Sequence, residues 1–159
     1  MSKKLSSLIS IGRIAENRKA RYDYEIDEKF EAGIILLGTE VKSLRFGRAS
    51  INESYASENN GKLVLINSNI PEYPSANQFN HEPKRQRELL VNKKTRNRLF
   101  GLMKRDGVTL LPLSLYFNKK GLAKVNLGIA KGRKKADKRE LIKQREWNRQ
   151  KSRIIKQID

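Results

Sequence analysis

Period-2 alternation of apolar and polar residues, punctuated by strong turn signals, runs through the first 130 residues and limits what this chain can fold into. That spacing lines one face of an extended strand, whereas a helix repeats near every 3.6 residues. In ARYDYEI, Tyr22, Tyr24 and Ile26 alternate with charged residues, as on a half-buried strand. EAGIILLG, from Glu31, reads as a second and more buried strand. SYASENNGKLVLINSNI reads as a hairpin, because Asn60 and Gly61 both tolerate the positive φ of a type I′ turn. Leu89 to Val91 makes a further short strand. The clearest element is a long hairpin, VTLLPLSLYF and LAKVNLGIA, joined by an NKKG turn.

Two short helices interrupt this pattern. In TEVKSLRFG, Thr39 can cap, Val41 and Leu44 share a face, and Gly47 stops the helix. NKKTRNRLFGLMKRDG has Asn92 as N-cap, Leu99, Leu102 and Met103 on one face, and Asp106-Gly107 as the stop. PEYPSANQFNHEPKRQR, with three prolines, is a loop. About six or seven antiparallel strands with two short helices predict a mainly β fold. This is a small barrel or sandwich; a partly open OB-type barrel is the preferred reading, and such barrels commonly bind oligonucleotides on one face.

Charge divides the chain unevenly. Thirty-five Lys and Arg against 17 Asp and Glu leave a formal +18, and a net +8 of this falls in residues 131–159. A domain boundary near Lys131 follows: an OB-type RNA-binding domain over 1–130, with about 1–12 a flexible lead-in, then a basic tail over 131–159. The tail has helix-forming composition from about Asp137, but its apolar stripe of Trp147, Ile154 and Ile158 is thin and its like charges repel. It is expected to be disordered when free and helical on its target. A net charge of this size draws polyanions. Nucleic acid is the leading partner, and a membrane-binding helix would want a broader apolar face.

The chain has no cysteine, which removes disulfides and thiolate metal sites and fits a reducing cytosol. No stretch approaches the ~18 apolar residues of a membrane span. His81 is the only histidine, and neither a G-x-S-x-G elbow nor a Walker-type phosphate loop is present. No catalytic residue, metal or cofactor is expected. The basic residues instead interleave with aromatic and amide groups. Asn17, Arg18, Lys19, Arg21 and Tyr22 lie together; Lys42, Arg45 and Arg48 recur at three-residue steps; Lys84, Arg85 and Arg87 follow Asn80 and His81. Arginine forks and flat rings suit RNA loops with splayed bases.

The runs NRKARYDYEI, EAGI, GTEVKSLRFG, NHEPKRQRELL, PLSLYF, LAKVNLGIAKGRKKADKRE and REWNR, in that order, resemble the small protein B family of bacterial trans-translation. The likeness covers nearly the whole chain from about residue 10. It implies an OB-type barrel that binds the tRNA-like domain of tmRNA and escorts it to stalled ribosomes in the cytoplasm. With that RNA the protein would mimic a tRNA, its tail entering the decoding region of the small subunit and the empty mRNA channel. The resemblance assigns Asn17, Lys19, Glu31, Lys42, Arg45, Asn80, His81 and Lys124 to the tmRNA-facing surface or its support. A carboxylate repels phosphate, so Glu31 would orient an Arg, accept from a base, or be an ordinary strand charge. On the tail, Gly132, Asp137, Lys138, Arg139 and Trp147 match positions used on the ribosome, and Lys131, Arg133, Lys134, Lys135, Arg145, Arg149 and Arg153 add cations for ribosomal RNA. Many members have His before the Asp-Lys-Arg run, where this chain has Ala136, so no imidazole can act there. The rival readings are a general RNA chaperone or ribosomal protein, which would bind many RNAs alike, and an RNA-processing enzyme.

Overall fold

The computed structural model describes residues 8–76, 78–132 and 135–158, with the backbone alone for 132, 135–138 and 158. Seven strands and four helices follow in the order β1 (Gly12–Glu16), α1 (Arg18–Asp23), β2 (Tyr24–Ile34), α2 (Gly38–Arg45), β3 (Tyr55–Asn59), β4 (Lys62–Ile66), β5 (Arg87–Leu90), α3 (Lys93–Asp106), β6 (Thr109–Phe117), β7 (Ala123–Gly132) and α4 (Lys135–Ile158). The strands form one antiparallel sheet in the order β1-β6-β3-β4-β5-β2-β7, and the β6–β7 pairing closes it into a barrel. Closure removes most of the unpaired edge that an open sheet would present.

The long hairpin owes its shape to one bulge. On β7, Val125, Leu127 and Ile129 alternate into the core, as period-2 patterning requires. On β6, Leu110 faces the same core, but the register slips between Pro112 and Ser114 and the phase inverts, so that Leu115 and Phe117 point inward. Pro112 has no N–H to lose, which suits a bulge. The slip leaves Leu111 and Leu113 outside the barrel, where Ala20 of α1, Ala130, Tyr24 and Ile26 cover them. At Gly128 a Cβ would lie 2.9 Å from Ile26 Cγ2 and 3.1 Å from Leu113 Cδ1, so only glycine admits this second layer.

Several local signals act as the sequence predicts. Asn60 and Gly61 adopt φ of 51° and 75° in the β3–β4 turn. Asn92 caps α3 by accepting from the Thr95 N–H at 2.8 Å, and Gly107 ends the helix in the left-handed region. Leu99 is fully buried, with Leu102 and Met103 packed beside the same core.

Other elements differ. ARYDYEI is not a strand throughout: Arg18–Asp23 form a helix, and Tyr22 lies on it. The two strands expected across residues 20–38 are one strand of 11 residues. An unexpected strand, β1, precedes them and pairs with the end of β6. Thr39 does not cap α2; Glu40 accepts the Leu37 N–H at 3.1 Å instead. β7 continues through Lys131 and Gly132, paired with Glu25 and Tyr24, past the anticipated boundary. Where composition predicts a disordered free tail, the structure forms a helix of 24 residues. Long side chains of high helix propensity favour it, with Glu146 three residues before Arg149 as an attractive pair. The Arg145 guanidinium lies 5.2 Å from the centroid of the Tyr22 ring, which joins α4 to α1. No helix among the described residues is long and apolar enough to cross a membrane.

Candidate nucleic-acid interface

Asn17 organises the first basic cluster from below. Its side chain is buried, accepts from the Ala20 N–H at 3.0 Å to start α1, and donates to the carbonyls of Pro112 at 3.1 Å and Ile51 at 3.3 Å. It therefore supports the interface without facing it. The six-residue helix it starts displays Arg18, Lys19 and Arg21 to solvent. Arg18 leans toward Glu16 at 3.6 Å, and Tyr22 is covered by Arg145. A cleft of about 350 Å³ runs beside α1, lined in part by Lys19, Asn52, Ser54 and Tyr55.

Helix α2 carries the second cluster, with Lys42, Arg45 and Arg48 exposed on its outer side and just beyond its end. Its inner side is stitched to the proline-rich loop. The Ser43 hydroxyl donates to the Pro71 carbonyl at 2.6 Å, and the His81 ring bridges Thr39 Oγ1 at 2.9 Å and the Ile70 carbonyl at 2.8 Å. At 3 % exposure His81 is a tie between loop and helix and presents no imidazole to a ligand. Asn80 donates to the Tyr73 carbonyl at 2.8 Å and accepts the Tyr73 N–H at 3.2 Å. Both residues hold the surface in shape.

Arg87 requires the plainest correction. Arg87, grouped above with RNA-contacting cations, is fully buried. It donates to the carbonyl and hydroxyl of Ser68, both at 2.9 Å, and to the Pro83 carbonyl at 3.1 Å. Its Nε stands 3.3 Å from the equally buried Glu40 carboxylate. Arg85 grips the same carboxylate through two bonds of 2.7 and 3.0 Å, leaving one third of its side chain exposed. Burial pushes the Glu40 carboxyl up, but Arg85, the Leu37 N–H and the Arg87 charge outweigh it and hold the group below 4.5. Arg87, enclosed in this way, cannot reach a phosphate. Lys84 remains exposed beside them.

On the barrel wall, Glu31 of β2 accepts from the Tyr116 hydroxyl and lies 4.0 Å from Lys124 Nζ. Among the described residues it thus orients a lysine and a tyrosine rather than an arginine. Burial and the Glu31 charge push the Tyr116 hydroxyl up to about 12. Lys131 pairs with Asp27 at 3.4 Å at the root of the tail. Along α4, Arg139, Arg145, Arg149 and Arg153 are exposed, as is Trp147 at 67 %. Arg145, Arg149 and Arg153 follow at four-residue steps and form one cationic stripe. Lys135, Asp137 and Lys138 lie on the same helix and Gly132 ends β7, while Arg133 and Lys134 fall outside the described residues.

Sequence reasoning missed Phe46 and Tyr73. Their rings stack with centroids 6.1 Å apart and planes at 27°, and Lys42 Nζ sits 5.6 Å from the Tyr73 centroid. The available signal was an aromatic residue between Arg45 and Arg48. Tyr73 is 27 residues away and carries no motif.

A closed antiparallel barrel with cations grouped on α1 and α2 and a cationic helix at its exit defines an OB-type protein with a polyanion-binding surface. The model of one family, described as SmpB protein, matches residues 14–157. This chain belongs to the SmpB protein family. It is 60 % identical over 143 residues to the SsrA-binding protein of Agrobacterium fabrum, covering 90 % of this chain and 89 % of that one. The SsrA-binding protein of Rhodospirillum rubrum is 55 % identical over 157 residues, 98 % of each chain. Among solved structures, a chain described as "tmRNA-SmpB: a journey to the center of the bacterial ribosome" superposes with a TM-score of 0.63 at 49 % identity. That match covers 76 % of this chain and 84 % of the other.

Proposed function

We propose that this protein binds the tRNA-like domain of tmRNA (SsrA RNA) and delivers it to stalled bacterial ribosomes for trans-translation. The barrel, with Arg18, Lys19, Arg21, Lys42, Arg45, Arg48 and Lys124, holds the tmRNA, while Asn17, Asn80, His81, Glu31, Arg85 and Arg87 shape that surface. The segment from Lys131 onward is the ribosome-binding part, and α4 takes the decoding region and the empty mRNA channel. The protein works as a cytoplasmic monomer that places its RNA and catalyses nothing.

The observation that carries this reading is the near full-length identity to SsrA-binding proteins, joined to the exposed cations of α1, α2 and α4. Exposed cations on the barrel and on a separate helix suit a protein that touches two RNAs at once. The test is recovery of endogenous RNA with the tagged full-length chain. One dominant tmRNA supports the reading, whereas a broad RNA population favours a general chaperone.

A further inference from the structure

Phe46 and Tyr73 stack on one another at the surface and belong to neither apolar cluster of the fold. Phe46 is 44 % exposed, and a shallow cleft of about 90 Å³ beside it is lined by Phe46, Arg48, Tyr73, Pro74 and Ser75. Lys42 stands over the Tyr73 ring. We propose that this is a subsite for one unpaired nucleobase, which stacks on Phe46 and Tyr73 while Arg48 and Lys42 take its adjoining phosphate. The proposal rests on the RNA-binding reading above and adds to it two residues which that reading does not use.

Three features favour a base over other occupants. An aromatic face accepts any base by stacking, and Lys42 over Tyr73 with Arg48 in the cleft wall selects an anionic chain over a neutral peptide. The cleft is too small to enclose a whole nucleoside, so the base lies across the rings with one edge toward Pro74. The platform is also built before any ligand arrives. Asn80 clamps Tyr73 by its N–H and its carbonyl, Ser43 fixes Pro71, and His81 bridges Thr39 to Ile70. Ordering these side chains then costs little on binding. Asn80 and His81 are thereby positioning residues for the platform.

The test titrates the full-length chain against the end-labelled tRNA-like domain over a range of salt. F46L/Y73L should bind about tenfold more weakly at every salt concentration with an unchanged log–log slope, since stacking releases no counterions. R48A should make the slope shallower by about one. F46L/Y73L should unfold in urea at the native midpoint, because neither ring belongs to an apolar cluster of the fold, and this separates loss of stacking from loss of fold. Abasic substitutions through the unpaired RNA positions should reveal one that weakens the native chain about tenfold and leaves F46L/Y73L unaffected. Equal binding by the native chain and F46L/Y73L, or a scan with no coupled position, overturns the subsite. If the native chain does not prefer this RNA to an ordinary tRNA, the tmRNA reading fails by itself. The subsite is then judged with a single-stranded oligoribonucleotide of mixed sequence, against which F46L/Y73L must still lose about tenfold or the proposal falls.

Discussion

Truncating Arg87 to alanine should damage the fold and leave the phosphate contacts intact. The substitution removes three hydrogen bonds of 2.9, 2.9 and 3.1 Å, leaves the Ser68 and Pro83 acceptors unpaired, and strips Glu40 of one of its two cations. Breaking a buried pair from one side costs about 3–5 kcal/mol, which is a large share of the ~5–15 kcal/mol typical of a domain. With a urea m-value near 2 kcal/mol/M, the unfolding midpoint should drop by roughly 2 M. Arg85→Ala should cost about 1 kcal/mol, because solvent reaches that side chain and Arg87 stays in place. E40Q/R87M should recover most of the loss by leaving no buried charge unpaired. Since the Glu40 carboxyl is held below 4.5 in the folded chain, its contribution is present above that pH. It is lost as pH falls through the folded value, so E40Q and the native chain should converge in stability in acid. Urea unfolding followed by circular dichroism measures the native chain and all four variants. A midpoint for R87A within about 0.3 M of native, with a salt slope for RNA binding shallower by one, would refute the reasoning, because that pattern belongs to an exposed phosphate ligand.

Three further expectations follow from the same geometry. Tyr116 should ionise near pH 12; its raised value stabilises the fold below pH 10 and fades as pH climbs through 12, and E31Q should lower the late absorbance step only part of the way, since burial remains. Gly128→Ala pushes a methyl group against Ile26 and Leu113 and should destabilise the barrel by about 1–3 kcal/mol in thermal unfolding, a loss that a smaller residue at Leu113 would partly relieve. Arg145→Pro should break α4 at a cost of about 3 kcal/mol of helix stability, reduce the helical circular dichroism signal, and block tagging of a protein whose message lacks a stop codon. Normal tagging by that variant would leave only a flexible tether.

The elements legible in the sequence are those whose cause is local. Asn60-Gly61, Asn92 and Gly107 dictate turns and caps through their own backbone preferences, and the β6–β7 hairpin announces itself by its turn. What stayed hidden depends on partners far along the chain. β1 exists because β6 offers its edge about a hundred residues later. α1 has only six residues, and its Tyr22 continues the same alternation into β2. The site follows the same division. Lys42, Arg45 and Arg48 are exposed as their spacing on α2 implies. Arg85 and Arg87 share that basic appearance, yet Glu40, some 45 residues earlier, draws them inward. Nothing near Asn80 or His81 reveals that they hold Tyr73 and Thr39.

β7 stays paired up to Gly132, and α4, from Lys135 onward, works as a ruler as well as a cation carrier. Its 24 residues measure about 36 Å as a helix, against roughly 80 Å if extended. Trp147 stands about 18 Å along that rod from Lys135, and helix geometry sets its bearing about the helix axis as firmly as its distance. One inserted residue would advance Trp147 by about 1.5 Å but swing it through roughly 100°, while four would carry it about 6 Å and return it almost to its original direction. Reach and heading are therefore separable in this tail, and an insertion series would tell which of the two its target reads.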